Sequence, residues 1–372
     1  MTDGADCTLT ATGDLMFHGA MAERMRAGAD MQWGFRPVAK ALRNGDVLFG
    51  NLETPITANR RREPDAPGLY FSMPGTGPAL GTLGYAVVNL AHNHIYDFGV
   101  EGVESTLREL AESNVAAIGI GRTAEEAARP AVITTKNGTR LGFLGYTTMC
   151  TALDRRHQYV ACFPAHKRVE RDIARLKPGV DAVVVSCHTG AQLNPYPAPE
   201  TRRLAHAAVA AGASVFLGHH PHVPQGWERI GSGLAVYSLG DFVGPPQGEP
   251  ARARFFIRVR LCGAEVIGHE LVPCILNDAG QTCLAEGDDA AQIRDRIAGL
   301  TDAISDGSSD RLHFRLAGRR FFTQYLSSWR EEIRVGGFRV LWRKARALRA
   351  YHLELVWRTV LDALAPKRLH RK

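Results

Sequence analysis

The most informative part of this sequence is a histidine-rich stretch, Gly218-His219-His220-Pro221-His222, which directly follows the apolar segment 214–217. This pattern predicts a buried strand that breaks into a loop, with imidazoles at the carboxyl end of the strand. His220 and His222 are two residues apart, so on an extended backbone their side chains share one side of the chain. Neutral imidazole binds Zn, Mn and Fe, so the stretch favours a metal site over a polar loop whose histidines bond to the backbone.

Short apolar segments that stop at polar residues recur along the chain. They lie at 7–12, 46–50, 86–91, 140–147, 182–186 and 234–239. Helical patterns lie between them, for instance at 100–112 and 200–211. Strands that alternate with helices predict an α/β fold, with a mostly parallel sheet and helices on its faces. Further on, 253–261 and 265–272 predict two antiparallel strands joined near Gly263.

The composition is that of a soluble globular protein, with 45% hydrophobic and 22% charged residues among 372. This length exceeds what one compact core usually holds, so we expect a large α/β domain at 1–285 and an appendage at 286–372. The seven cysteines are odd in number and form no CxxC pair, which disfavours a disulfide framework and favours a reducing compartment. The N-terminus does not resemble a signal peptide, and no apolar run is long enough to predict a spanning helix. We therefore expect a cytoplasmic protein.

Basic character is concentrated in the C-terminal extension. The chain has a net charge of +7, but residues 311–372 carry 16 Lys/Arg and 4 Asp/Glu, which leaves −5 for the rest. The pattern after Glu286 predicts three helices, of which the last, 337–365, is basic and amphipathic. Docking on the parent domain is the favoured role for this helix, and a synthase partner or an anionic membrane surface is the alternative. No motif indicates specific nucleic-acid binding.

Polar side chains that follow the predicted strands form a candidate site. They are Asp14, Glu53, Asn93, His94, His188, His220 and His222. The carboxyl ends of strands in an open α/β sheet line one crevice, so these distant loops can converge there. Two carboxylates, one amide and three imidazoles suit one or two divalent ions of Mn, Fe or Zn type, with one carboxylate as a bridge. Two such ions hold a phosphoryl group and generate a hydroxide nucleophile.

Other roles compete for several of these residues. Asp14 is equally suited to cap the helix that follows, and Glu53 is also typical of a solvated loop carboxylate. Asn93 is a poor strand former between two histidines, which favours a functional role. His94 would then be free to protonate a leaving group or to stabilise the transition state. Asp97 is close enough in sequence to orient that imidazole, with loop capping as the equal alternative.

Six motifs of the chain occur in the order of a known family. They are Gly13-Asp14-Leu15-Met16, Asn51-Leu52-Glu53, Ala91-His92-Asn93-His94-Ile95-Tyr96-Asp97-Phe98-Gly99, His188-Thr189-Gly190, Gly218-His219-His220-Pro221-His222-Val223-Pro224-Gln225 and Tyr237-Ser238-Leu239-Gly240-Asp241-Phe242. Together they resemble the CapA family of poly-γ-glutamate capsule biosynthesis proteins, over residues 9–243. That family is similar to calcineurin-like metallophosphoesterases, so the resemblance implies a four-layer α-β-β-α sandwich. The helical C-terminal extension has no counterpart in the resemblance.

The resemblance also implies roles for single residues. It assigns six metal ligands: Asp14 and His222 for the first ion, Asn93, His188 and His220 for the second, and Glu53 as the bridge. It makes His94 the catalytic histidine, with Asp97 as its partner.

This chain departs from the family pattern at three positions. Met16 stands where metallophosphoesterases usually have His, so the first metal site is expected to be weak or empty, or to use His18 instead. Thr189 stands where the family usually has Trp, and Asp241 where it usually has Asn. We therefore expect a different substrate pocket.

Three functions follow as hypotheses. The first is a metal-dependent hydrolase that acts on an anionic or polymeric substrate, at a phosphoester or a γ-glutamyl amide, in poly-γ-glutamate or capsule-type polymer metabolism. The second is a non-hydrolytic subunit of a polymer synthesis or export complex, peripheral to the membrane. The third is a tailoring enzyme that forms amides. The retained ligand set favours the hydrolase, and the family name favours the second role.

Overall fold

The computed structural model describes residues 6–28, 30–59, 61–63, 66, 70–149, 160–161, 164–245 and 252–320, with the single positions 323 and 357. The chain forms two compact units, 1–302 and 303–372. The domain boundary expected at 285/286 stays a prediction. The basic helix expected at 337–365 lies outside the described residues, apart from position 357.

Eight strands form the larger sheet. They are β1 (Asp6–Leu15), β2 (Val47–Leu52), β3 (Tyr85–Asn89), β4 (Ala116–Ile118), β13 (Asp241–Val243), β14 (Ala253–Cys262), β15 (Glu265–Leu276) and β16 (Thr282–Leu284). Their spatial order is β16-β15-β14-β1-β2-β3-β4, and β13 pairs with the end of β1. Strands β1 to β4 run parallel, and β14 to β16 extend the sheet in antiparallel fashion. The antiparallel pair expected around Gly263 is therefore confirmed as β14 and β15.

Six strands form the second sheet. They are β6 (Ala131–Thr134), β7 (Arg140–Thr147), β9 (Ala182–His188), β10 (Val215–His219), β11 (Trp227–Ile230) and β12 (Gly233–Val236). Their order is β11-β12-β10-β9-β7-β6. The four central strands are parallel, and the two edge strands are antiparallel. The central strands are almost wholly apolar because both faces of the sheet are covered. A separate pair joins β5 (Ile120–Gly121) to β8 (Val160–Ala161).

Helices follow most of the parallel strands. They are α1 (Ala20–Arg26), α2 (Ala39–Leu42), α3 (Thr76–Leu83), α4 (Gly99–Glu112), α5 (Ala124–Ala127), α6 (His166–Leu176), α7 (Pro199–Ala211), α8 (Gly287–Ser305) and α9 (Ser309–Arg320). Helix α4 shows why these segments are helical, because Val103 and Leu110 recur on one face and are fully buried. Within the described part of the chain, no helix is long and apolar enough to cross a membrane.

The two sheets pack face to face and share one apolar core. Phe49 of β2 stacks on Phe143 of β7, with ring centroids 5.8 Å apart and planes at 8°. Each fully buried ring of this kind stabilises the fold by roughly 1.5–3 kcal/mol. The outer face of the larger sheet shares a second core with Leu80 of α3 and Val103 of α4. On the outer face of the second sheet, the Tyr146 hydroxyl of β7 donates to a carboxylate of α6. The layers are thus α-β-β-α, as expected.

Gly218 lets β10 lie against the chain that follows β12. A Cβ atom at this position would be 1.9 Å from the backbone oxygen of Tyr237. We expect Gly218→Ala to lower the free energy of unfolding by about 1–3 kcal/mol, because the two segments must separate. Gly299→Ala is the matched control, since nothing lies within 4 Å of its added Cβ and alanine favours the helix. Thermal denaturation should place the melting temperature of Gly218→Ala well below that of the control, and equal temperatures would contradict the contact.

Candidate functional site

The carboxyl ends of strands from both sheets meet at one edge of the sandwich. Asp14 lies near the end of β1, and its Cα is in register with those of Asn51 in β2 and Asp241 in β13. In the second sheet, the last residues of β9 and β10, His188 and His219, are in register with each other. The structure thereby brings together all the side chains expected as ligands: Asp14, Glu53, Asn93, His188, His220 and His222.

One group of donors surrounds His188. Its Nε2 lies 2.8 Å from Asn93 Oδ1, 3.1 Å from His220 Nδ1 and 3.3 Å from Glu53 Oε1. Donors bound to one ion at about 2.1 Å are about 3.0–3.4 Å apart, so these spacings suit a common ion. His188 and Glu53 are fully buried. This group matches the ligand set expected for the second ion.

A second group joins Asp14, Glu53 and His222. His222 Nε2 lies 3.8 Å from Glu53 Oε1, and His222 Nδ1 lies 3.7 Å from Asp14 Oδ2. The same Nδ1 is 2.8 Å from Asp241 Oδ1 and donates its proton there, because an ionised carboxylate only accepts. In the neutral ring, Nε2 is then the nitrogen with a free lone pair, and it faces Glu53. A carboxylate behind a ligand imidazole is the arrangement that metal sites use to fix the tautomer.

Asn51 connects the two sheets beneath these groups. Its Nδ2 donates to Asp14 Oδ1 at 2.9 Å and lies 3.2 Å from His188 Nδ1, while its Oδ1 accepts from Asn89 at 2.9 Å. One amide therefore fixes a carboxylate of the first group and an imidazole of the second. Asn51 stands within one of the sequence motifs, but no role is predicted for it from the sequence.

His94 forms a pair with Asp97 beside the ligand groups. His94 Nδ1 lies 2.8 Å from Asp97 Oδ2, and both side chains are buried. Burial raises the pKa of Asp97, and the hydrogen bond with His94 only partly offsets that effect. Because Nδ1 of His94 is hydrogen-bonded to Asp97, Nε2 is the ring nitrogen that can exchange a proton with a substrate. The side chain of His94 also meets the ring of Tyr70 edge-on, with centroids 4.7 Å apart.

The loop after β10 has an unusual backbone. His220 has φ 97° and His222 has φ 59°, in the left-handed region that side chains other than glycine rarely adopt. The two imidazoles are neighbours, with centroids 5.8 Å apart. Their shared position thus comes from two left-handed residues, and not from the extended backbone that the spacing suggested. Each such residue costs on the order of 1–3 kcal/mol, and strain of this kind is concentrated at functional sites.

The pKa values of the two ligand carboxylates, Glu53 and Asp14, are shifted in opposite directions. Burial, followed by the nearby charges of Asp14 and Asp241, raises the pKa of Glu53 well above its usual range. Burial acts in the same direction on Asp14, but His219 and His222 outweigh it and lower the pKa of Asp14. His219 Nδ1 lies 3.3 Å from Asp14 Oδ1. No role is predicted for His219 from the sequence, although it stands next to the predicted ligand His220.

The imidazoles of the site are mostly held neutral. Burial lowers the pKa of His188 well below its usual range, and the nearby His220 adds to the effect. Burial, with a contribution from His222, lowers the pKa of His220 to about 3. His222 is the exception: burial acts to lower its pKa, but Asp241 and Asp14 together outweigh burial and raise it. Neutral imidazoles have the free lone pair that a metal ion needs.

The structure also places the residues that depart from the family pattern. Met16 is buried and apolar. Among the described residues, His18 belongs to neither group of ligand atoms that lie within 4.8 Å of one another. Thr189 Oγ1 accepts from Thr148 Oγ1 at 2.8 Å. Asp241 accepts the hydrogen bond from His222 Nδ1 and so orients that imidazole.

Glu53 provides the test of whether this donor set fits a metal ion. Neither of its buried oxygens makes a hydrogen bond to the described residues, although Oε1 lies 3.3 Å from His188 Nε2 and 3.8 Å from His222 Nε2. An unpaired buried carboxylate is costly unless a cation compensates it. Carboxylate, amide and imidazole donors are those that Mn, Fe and Zn use. The residues present therefore fit one or two divalent cations.

Comparison with known proteins gives a family match that covers this site. The family model described as bacterial capsule synthesis protein PGA_cap matches residues 8–246. The capsule biosynthesis protein CapA of Bacillus anthracis is 30% identical over 246 residues, which cover 63% of this chain and 59% of that protein. The PGA biosynthesis protein CapA of Bacillus subtilis (strain 168) is 30% identical over 246 residues, or 64% of each chain.

A mycobacterial protein is similar over a longer part. It is described as a "probable polyglutamine synthesis accessory protein" of Mycobacterium tuberculosis, and it is 29% identical over 266 residues, covering 68% of this chain and 70% of that protein. The chain spans less than two thirds of the length of the two Bacillus relatives, 59% and 64%.

Proposed function

This chain belongs to the family of bacterial capsule synthesis proteins described as PGA_cap, and from that premise we propose that it is a dinuclear, metal-dependent hydrolase. Its substrate would be an anionic group of a capsule-type polymer or its precursor, cleaved at a phosphoester or a γ-glutamyl amide. The names of the Bacillus relatives, which refer to capsule and PGA biosynthesis, support this substrate class. The retained set of six ligand side chains supports hydrolysis.

Glu53 is the observation that carries this proposal. Its carboxylate is fully buried between His188 Nε2 at 3.3 Å and His222 Nε2 at 3.8 Å, and no hydrogen bond from the described residues satisfies it. A protein core does not keep such a group for stability, because its desolvation is not compensated. A cation on either side of Glu53 would compensate it.

The ligand groups define where the cations would bind. Asp14 and His222 would hold the first, and Asn93, His188 and His220 the second, with Glu53 shared by both. When bound, such ions polarise a phosphoryl or carbonyl oxygen and lower the pKa of water. Asp241 and Asn51 orient the ligands from behind.

His94 has the geometry of a proton donor to the leaving group. With Nδ1 donating to the Asp97 carboxylate, the doubly protonated ring of His94 carries a second proton on Nε2, and this proton is available to the leaving atom. Water adds to the phosphorus or carbonyl carbon, the bond to the leaving group breaks, and the leaving atom takes this proton. General acid catalysis of this kind contributes typically 10²–10⁴-fold to the rate.

The test combines metal analysis with turnover. We expect purified protein to contain one to two equivalents of Mn, Fe or Zn, and to cleave bis-p-nitrophenyl phosphate, p-nitrophenyl phosphate or γ-glutamyl-p-nitroanilide. His220→Ala should lose at least one metal equivalent, with turnover reduced on the order of 10²-fold or more, because it removes a ligand imidazole. Mass spectrometry of metals and the release of nitrophenol or nitroaniline measure both.

His206→Ala is the matched control for this experiment. His206 is an exposed histidine of α7 that pairs with Glu228 at 3.2 Å, outside the site. It should retain full metal content and turnover. Wild-type protein that holds no metal and turns over none of these compounds would contradict the proposal.

A non-catalytic assembly role is the second candidate. The mycobacterial relative is named as an accessory protein, which favours a subunit of a polymer synthesis complex. In that role the basic C-terminal extension would contact a synthase or a membrane surface. Stoichiometric metal without turnover on any ester or amide would favour this function over hydrolysis.

A further inference from the structure

His18 lies beside the candidate site, but none of the roles assigned so far uses it. It follows β1 in the turn before α1, and its backbone N–H donates to the Met16 carbonyl at 2.9 Å. Its Nε2 is buried and makes no hydrogen bond to any described residue. His18 therefore has an unused polar atom at the edge of the site.

Tyr70 links His18 to the candidate catalytic histidine. The Tyr70 ring lies 4.4 Å from the His18 ring and 4.7 Å from the His94 ring, measured between centroids. The three rings thus form a continuous wall. His94 makes the second contact edge-on, at 89°.

The pKa of His18 is affected by imidazoles of the candidate site. Burial, followed by the nearby His94 and His222, lowers the pKa of His18 to about 4. Both of these imidazoles are therefore close enough to act on its charge. At neutral pH His18 is uncharged and offers one N–H donor and one lone pair.

The position of this wall identifies which part of a substrate it would meet. On the proposed function, His94 gives its proton to the leaving group, so side chains packed against His94 face that group. The transferred phosphoryl or acyl group would lie over the ligands instead. We propose that His18 and Tyr70 form the leaving-group subsite, in which Tyr70 packs on the apolar stem of the leaving group and His18 Nε2 hydrogen-bonds an oxygen atom that it carries. This inference rests on the hydrolase function proposed above.

Two non-hydrolysable ligands distinguish binding at this subsite from binding at the metal site. Methylphosphonate offers only the transferred group, whereas 3-phosphonopropionate adds a short apolar stem with a carboxylate. Calorimetry on the metal-loaded full-length chain would give both dissociation constants without any need for turnover. We expect His18→Ala to weaken 3-phosphonopropionate about tenfold and methylphosphonate less than about twofold, because one hydrogen bond to a buried group is lost.

Two further variants sharpen the result. Tyr70→Phe keeps the ring and should bind both ligands like wild type, whereas Tyr70→Ala should selectively weaken 3-phosphonopropionate. His206→Ala should change neither affinity. Metal content of His18→Ala, measured in the same samples, should equal that of wild type.

Other outcomes overturn the proposal in distinguishable ways. Equal weakening of both ligands, or no weakening of either, would show that His18 does not contact the leaving group. Loss of metal in His18→Ala would make it a ligand of the first ion instead. Wild-type protein that binds no metal would defeat the proposed hydrolase function, and the subsite with it.

Discussion

Replacing Glu53 by glutamine is expected to abolish metal binding and turnover while making the metal-free protein more stable. Glutamine keeps the shape of the side chain and removes the charge that two cations would share. Turnover should fall on the order of 10³-fold or more, since the loss of both ions removes several kcal/mol of transition-state stabilisation. In the metal-free fold, the same change removes a buried carboxyl group that makes no hydrogen bond to the described residues and whose pKa is raised by burial.

The stability gain has a definite pH dependence. Burial raises the pKa of Glu53 in the folded state, so between its unfolded and folded pKa values the native protein binds more protons than the unfolded chain. The contribution of Glu53 to stability is therefore lost as pH rises above the ordinary carboxyl range. At pH 7 we expect Glu53→Gln to raise the free energy of unfolding of metal-free protein by about 1–3 kcal/mol. Thermal denaturation in chelator from pH 5 to pH 8 measures it.

Glu112→Gln provides the matched control, because Glu112 is an exposed carboxylate at the end of α4. It should change neither metal content nor stability by a measurable amount. If the Glu53→Gln variant still binds two metal equivalents, Glu53 does not bridge the two ions. A metal-free Glu53→Gln protein less stable than wild type would show that the carboxylate is satisfied in the fold.

The positions of the site residues could be predicted because they follow from local patterns. An apolar run such as 182–186 has few alternatives to a buried strand, and the polar residues after it must then lie at a sheet edge. Parallel strands bring those edges together. His188 turned out to be the last residue of β9 itself, so the strand is longer than its apolar run.

The arrangement in two sheets did not follow from the strand pattern. That pattern indicated one mostly parallel sheet, and the sandwich was expected only from the family resemblance. The division depends on pairings between distant segments, such as Thr12 in β1 with Phe256 in β14. Apolar periodicity shows that a strand is buried, but it does not show which strand lies beside it.

The contacts that orient the ligand side chains also could not be predicted from the sequence. Asn51 meets His188 across 137 positions of sequence, and His222 meets Asp241 across 19. Asp241 stands where the family usually has Asn, and this substitution signalled a difference without revealing its partner. Tyr70 follows the polar stretch 59–65 in a segment with no strand or helix pattern, so its packing on His94 had no sequence signal.

Replacing His94 by alanine is expected to separate catalysis from metal binding. His94 belongs to neither ligand group, so the variant should keep the full metal content of wild type. Its turnover number should fall about 10²–10⁴-fold, because the leaving group loses its proton donor. Substrates with a good leaving group, such as bis-p-nitrophenyl phosphate, should lose less than substrates with an alkoxide or amine leaving group. Asp97→Asn should show a smaller loss in the same direction.

Added imidazole distinguishes this role from a structural one. Removal of the His94 ring leaves space beside Tyr70 and Asp97, the two groups that hold it. Free imidazole should enter that space and partly restore turnover in His94→Ala but not in His220→Ala, where a ligand is missing. Loss of metal in His94→Ala, or an equal loss of rate for good and poor leaving groups, would exclude proton donation by His94. In that case the leaving group would depart without assistance from this imidazole, and the ligand groups alone would account for the reaction.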